Sequence, residues 1–170
     1  MLEIRSATFD DLADVAAIHV SAWQQAYIGQ VPQDYLDGLD IKTRQKKWEE
    51  LFNKQTAENK DLYLALQDGK VVGFIAFGPS RDDSAQGEIY AVYLLQEAWG
   101  SGAGYALFKT AARILLKNGY DGAHLWVLDT NQRAIQSYAK WGGIVDQRLV
   151  KNDDIGGQTI KEIAITFDLK

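Results

Sequence analysis

The chain has 170 residues and a formal net charge of −5, with 46% apolar and 24% charged residues. That is the composition of one globular domain of ordinary size. It argues against general nucleic-acid binding, since no basic tract offsets the acidic balance. There is no cysteine, and the histidines are His19 and His124 alone. Disulfides, thiolate metal sites and a cysteine nucleophile are therefore excluded, and a histidine-rich metal site is disfavoured. The N-terminal Met1-Leu-Glu-Ile-Arg-Ser6 does not read as a signal peptide, and no apolar run is long enough to span a bilayer. A cytoplasmic location is expected.

Residues 2–8 read as a strand. Thr8 and Asp11 form a capping box for a helix starting near Phe9, in which Leu12, Val15, Ala16, His19, Ala22, Trp23 and Ala26 recur at helical spacing. Gly29 and Pro32 interrupt it. A second helical region is predicted over 33–52, followed by a polar loop or frayed end over 53–60. Strands are predicted over 62–67 and 70–78, joined by Asp68-Gly69, a strong two-residue hairpin signal. A polar loop over 79–86 leads to a strand over 87–95. A helix from about Tyr105 to Lys117 ends at Asn118-Gly119, a common C-terminal cap. The remaining elements are a buried strand over 123–128, a short helix over 132–141 closed by Gly142-Gly143, and a hairpin of strands 144–150 and 159–169 joined by a loop over 152–157. Hairpins at both ends surround one strand–helix–strand unit, which should place two parallel strands in a mixed sheet.

Chemistry concentrates in that central unit. Gly100, Gly102 and Gly104 alternate where the strand hands over to the helix. Glycine lets the backbone approach a ligand closely, and loop N–H groups beside a helix N-terminus suit a phosphate or pyrophosphate. The dinucleotide fingerprint fails because Tyr105 stands where its third glycine belongs, and a P-loop lacks its Gly-Lys-Ser/Thr.

Trp99-Gly-Ser-Gly-Ala-Gly104 instead resembles the pyrophosphate loop of GNAT-type N-acetyltransferases, except at its first position. Leu125-Trp-Val-Leu-Asp-Thr-Asn131, followed by Ala134, Tyr138 and Gly142, is similar to that family's second cofactor segment. The helix carrying His19, Trp23 and Tyr27, followed by Gly29 and Pro32, resembles the opening of many bacterial members. Nearly the whole chain is covered. The resemblance implies an α/β (α+β) single domain spanning residues 1–170. It would hold a mixed sheet of about six to seven strands flanked by about four helices, with a splayed parallel pair at the cofactor.

The resemblance also implies acetyl-coenzyme A as cofactor and a primary amine, on a small molecule or peptide, as acceptor. Backbone groups of Tyr93, Leu94 and Leu95 would pair with the pantetheine arm. Amides of Trp99, Gly100, Ser101, Gly102, Ala103 and Gly104 would hold the pyrophosphate, with Asn131, Ala134 and Tyr138 completing the cofactor site. A strand bulge is expected within residues 92–94. Tyr138 is the candidate acid for the departing thiolate and Glu88 the candidate base. His19, Trp23 and Tyr27 are candidates for the acceptor wall, where aromatic rings meet a cationic amine.

Three positions depart from the family pattern. Trp99 stands for Arg or Gln, Gln96 for a proline, and Gly143 for an aromatic. Two other readings stay open at this stage. One is a non-catalytic acyl-CoA-binding or sensing module on the same fold, and the other a nucleotide-binding protein using the loop differently. A homodimer paired through the C-terminal strands is a further expectation.

Overall fold

The computed structural model describes residues 1–55, 61–82 and 84–170. Strand β1 (Leu2–Ser6) leads through a 3₁₀ turn (Phe9–Asp11) into helix α1 (Leu12–Ala26). The capping box is present. Asp11 Oδ2 accepts from Thr8 N–H at 2.7 Å and from Thr8 Oγ1 at 2.9 Å, and Arg5 clamps the same carboxylate at 2.8 Å. These donors hold the Asp11 carboxyl well below the usual carboxylate range, the Arg5 hydrogen bond first among them.

The helical region predicted over 33–52 is two helices, α2 (Gln33–Asp37) and α3 (Ile41–Gln55). The break falls at Gly38-Leu39-Asp40. Asp40 Oδ2 then accepts from Thr43 N–H at 2.8 Å, restarting the helix with a new cap. Of the polar stretch 53–60, residues 53–55 belong to α3, and 56–60 lie outside the described residues.

Strands β2 (Asp61–Gln67) and β3 (Lys70–Pro79) form the predicted hairpin. Asp68 and Gly69 have φ of 50° and 82°, the left-handed pair that a tight hairpin turn requires. Strand β4 (Gly87–Leu94), helix α4 (Ala103–Lys117) and strand β5 (Gly122–Leu128) form the central unit, and α5 (Gln132–Lys140) follows. The last hairpin is longer than predicted. Strand β6 (Ile144–Ile155) runs through 152–155, and Gly156-Gly157, with φ of 61° and 82°, makes a two-residue turn into β7 (Gln158–Asp168). Gly-Gly was sufficient for the turn, so the acidic residues before it continue as strand.

The seven strands lie in the order β1-β2-β3-β4-β5-β7-β6, with β4 and β5 the parallel pair. Strand alternation sends two apolar layers to opposite faces. Ile75, Phe77, Leu125 and Phe167 pack with Leu107, Phe108, Ala111 and Leu115 of α4. Leu62, Leu64 and Phe74 pack with Leu12, Val15 and Ala16 of α1 and with Trp48 of α3. Each fully buried side chain of this size contributes roughly 1.5–3 kcal/mol. Among the described residues no helix is long and apolar enough to cross a membrane.

Candidate active site

Strands β4 and β5 pair only at Gly87↔Ala123, Glu88↔His124 and Ile89↔Leu125. Beyond that they part. On the other side of β4 the register with β3 jumps from Ala76↔Ala91 to Phe77↔Ile89, which leaves Tyr90 as the extra residue of a β-bulge. A bulge bends its strand and raises the local twist, carrying β4 away from β5. The bulge expected within residues 92–94 therefore sits earlier, at Tyr90.

The opening is a cleft of about 280 Å³ between β4, the glycine loop and α5, with Ala22, Ala26 and Tyr27 of α1 and its C-terminal cap at one side. Its β4 wall is an open sheet edge. Leu95 N–H donates to Val72 O at 2.9 Å, so Leu95 faces β3. Antiparallel alternation then gives Tyr93 to β3 as well, and turns the backbone groups of Val92 and Leu94 toward the gap. Of the three residues expected to offer backbone groups at this edge, Leu94 has its groups turned toward the gap while Tyr93 and Leu95 have theirs turned toward β3, and Val92 faces the gap beside Leu94.

The loop sorts its amides the same way. Trp99 N–H donates to Gln96 O at 3.1 Å and Ser101 N–H to Ala98 O at 3.3 Å. Ala103 N–H donates to Ser101 Oγ at 3.3 Å. The N–H groups of Gly100, Gly102, Gly104 and Tyr105 have no acceptor among the described residues. Gly100 and Gly102 have φ of 74° and 88°, and a Cβ built on either meets no atom within 4 Å. Gly100 and Gly102 thus place free donors beside open space at the start of α4. This is a cradle of the kind that accepts a phosphate.

The helix α5 closes the other side. Asn131 Oδ1 caps it by accepting from Ala134 N–H at 3.3 Å, and Asn131, Ala134 and Tyr138 all line the cleft. The Tyr138 ring meets Trp141 edge-on at 5.2 Å. Burial raises the Tyr138 hydroxyl pKa well above the ordinary phenol value, and the nearby Tyr93 phenol adds to the rise. Gly143 leaves no room for the usual aromatic. A Cβ there would lie 2.5 Å from Ile165 Cγ2 and 2.8 Å from Phe167 Cε1 and the Tyr138 carbonyl oxygen.

The acceptor-wall candidates separate. Tyr27 lines the cleft, with Trp23 packed edge-on against it at 4.8 Å. His19 does not reach the cleft. Its Nδ1 accepts from Trp48 Nε1 at 3.1 Å, and its ring stacks on Tyr93 at 5.0 Å. Burial lowers the His19 pKa to about 3, so it is a neutral core imidazole.

Glu88 is fully buried and held by Arg81. Its Oε1 accepts from Arg81 Nη2 at 2.5 Å and Nε at 3.1 Å, and its Oε2 from Arg81 N–H at 2.8 Å. His124 Nε2 stands 3.8 Å from Glu88 Oε2 and 3.5 Å from Asp82 Oδ2, while Lys151 Nζ pairs with Asp82 Oδ1 at 3.2 Å. Arg81 and Lys151 balance the two carboxylates, so this cluster is a compensated charge network.

Two residues escaped the sequence reading. Glu162 on β7 is half-buried, pairs in register with Leu128, and has no hydrogen bond or ion pair among the described residues. Burial raises its pKa, and burial also raises those of Tyr27 and Tyr93, with the Glu162 charge a lesser contributor. Arg133 lines the cleft with its Cζ 3.4 Å from the centroid of the Trp99 ring. Neither carries a local sequence signal, since both depend on register and tertiary approach.

Comparison with known proteins agrees with this geometry. The sequence matches the family model described as the acetyltransferase (GNAT) family over residues 18–143. The uncharacterized N-acetyltransferase YuaI of Bacillus subtilis is 34% identical over 171 residues, covering 97% of this chain and 92% of that protein. An uncharacterized N-acetyltransferase of Archaeoglobus fulgidus is 32% identical over 143 residues, covering 81% of this chain and 90% of that one. The crystal structure of PaiA N-acetyltransferase from Thermoplasma acidophilum, in complex with coenzyme A, shares the fold with a TM-score of 0.76. It is 23% identical and covers 95% of this chain and 98% of that one. The structure of YncA from Salmonella typhimurium with acetyl-CoA also has a TM-score of 0.76, at 18% identity, covering 100% of this chain and 95% of that one. The chain belongs to the acetyltransferase (GNAT) family.

Proposed function

We propose that the cleft binds acetyl-CoA and that the protein transfers the acetyl group to a primary amine of a small molecule or peptide. The observation that carries the proposal is the pairing of two open backbone surfaces. One is the β4 edge beyond its pairing with β5, at Val92 and Leu94, where only Leu94 O is taken, by Trp99 Nε1, and the other the free N–H groups at Gly100, Gly102, Gly104 and Tyr105. The first suits an extended amide-bearing arm and the second a pyrophosphate, and acetyl-CoA contains both in that order.

Bound acetyl-CoA supplies a thioester activated toward attack by an amine. The chain's own groups would do the rest. The open β4 edge orients the arm, and its gap-facing N–H groups are the donors available to a carbonyl oxygen. Tyr138 Oη, kept protonated by its raised pKa, holds the proton that a departing thiolate needs. For the base, the geometry favours Glu162 over Glu88. Three Arg81 donors occupy the Glu88 carboxylate, whereas Glu162 has no hydrogen bond or ion pair among the described residues and lies in register with Leu128, which packs in one cluster with Tyr27, its pKa raised by burial. We therefore assign proton removal from the ammonium acceptor to Glu162, and give Glu88 a structural role in fixing the loop at Ser80–Asp82.

The proposal includes a cytoplasmic setting and a homodimer joined through the exposed edge of β6. Sedimentation velocity tests the latter, and a monomer at all concentrations would exclude it. The function itself is tested by calorimetric titration with acetyl-CoA, followed by thiol release on adding primary amines. Binding without release for any amine would favour an acyl-CoA sensor on the same fold.

A further inference from the structure

Trp99 stands where the resembling loop commonly has arginine or glutamine, and a guanidinium from elsewhere in the chain lies on its ring. Arg133 is the second residue of α5, far from Trp99 in sequence. Its Cζ lies over the Trp99 ring, 3.4 Å from the centroid, at van der Waals contact. The Trp99 Nε1 donates to Leu94 O at 3.4 Å, which sets the plane of the ring. Both residues line the cleft together with Gly100 and Gly102.

We propose that Arg133, carried on the face of Trp99, supplies the side-chain cation for the cofactor pyrophosphate that the loop itself lacks. This rests on the acetyl-CoA reading above. Stacking on an aromatic ring uses the faces of a guanidinium and leaves its in-plane N–H donors free, and those donors match phosphate oxygens bidentately. Among the described residues no carboxylate pairs with Arg133. An unpaired guanidinium beside free loop amides is an arrangement that suits an anion. Trp99 then acts as a platform: the ring gives up direct contact with the ligand and holds in place a cation borrowed from α5. Lys140 lines the same cleft, and among the described residues it makes no cation–π contact with Trp99, so it provides the natural control.

The test is calorimetric titration of coenzyme A, 3′-dephospho-CoA and pantetheine into the wild type, Arg133→Ala, Lys140→Ala, Trp99→Ala and the double variant Trp99→Arg/Arg133→Ala. Arg133 is exposed, so its truncation leaves the core intact, which a thermal melt checks. One charge-assisted contact contributes about 1.5–3 kcal/mol, so Arg133→Ala should weaken coenzyme A by roughly 10- to 100-fold. The same loss should appear with 3′-dephospho-CoA and be absent with pantetheine. Lys140→Ala should lose less than Arg133→Ala. Trp99→Ala should weaken binding by a smaller factor, and the double variant should recover most of the loss by restoring a loop cation.

Unchanged affinity in Arg133→Ala would overturn the proposal, as would an equal loss with pantetheine. A loss confined to coenzyme A would move Arg133 to the 3′-phosphate and overturn the pyrophosphate assignment. If the wild type bound none of the three, the acetyl-CoA reading itself would fall, and that outcome is distinct from a failure at Arg133 alone.

Discussion

His19 and Trp48 are joined by one hydrogen bond, Nε1–H to Nδ1 at 3.1 Å, across the interface of α1 and α3. The bond needs the imidazole neutral at Nδ1, and burial lowers its pKa to about 3. In the unfolded chain the same histidine titrates near 6.5. Below that pH the unfolded state binds a proton that the folded state refuses, so stability falls as pH drops from about 6.5 toward 3. His19 alone should make the fold about 2 kcal/mol less stable at pH 5 than at pH 7. Urea denaturation of His19→Gln across this range should show a shallower decline than the wild type. An identical slope would mean that His19 is not buried neutral.

Replacing Tyr138 with Phe removes one hydroxyl and little packing. Turnover should fall by roughly 10²-fold or more, the usual contribution of a positioned acid, while acetyl-CoA affinity changes by no more than about threefold. Because burial raises the Tyr138 pKa, the wild-type rate should hold its alkaline limb above the ordinary phenol range. Full turnover in the variant would remove Tyr138 from the mechanism.

Gly102 has φ of 88°, and a Cβ there meets no protein atom within 4 Å. Gly102→Val should therefore fold, with strain of about 2 kcal/mol and a Tm lower by roughly 4–8 °C. Its coenzyme A affinity should drop by at least about tenfold, since the added methyls project into the cradle. Normal affinity would place the phosphates elsewhere.

The two carboxylates make opposite predictions. Glu162→Gln should keep its Tm and lose roughly 10²-fold in turnover, with the acid limb of the wild-type rate displaced upward as its raised pKa requires. Glu88→Gln should destabilise by about 1–3 kcal/mol, because it weakens a buried acceptor of three Arg81 donors. Its turnover, measured on the folded fraction, should be nearly unchanged. The reverse pattern would return the base to Glu88.

Much of the architecture was legible because local chemistry dictated it. Asp68-Gly69 named its turn, Thr8 and Asp11 their capping box, and the alternating glycines the loop. The misreadings share a physical cause. The bulge at Tyr90 is a property of two strands in register, and no residue on β4 announces it. The break between α2 and α3 was hidden by apolar spacing that continues across Gly38. His19 reads from its helix stripe either as a partly buried, satisfied histidine or as an acceptor-wall residue, and its contacts with Trp48 and Tyr93 decide for the first. Arg133 and Glu162 acquire meaning only from the rings and strands brought to them by the fold.

The central claim is that this cleft transfers acetyl groups. The most direct test is release of free CoA thiol from acetyl-CoA by the wild-type protein across a panel of primary amines, from polyamines to peptide N-termini. Release that depends on an amine, and that Tyr138→Phe sharply reduces, is the predicted result. Saturable acetyl-CoA binding with no amine-dependent release from any member of the panel would contradict it.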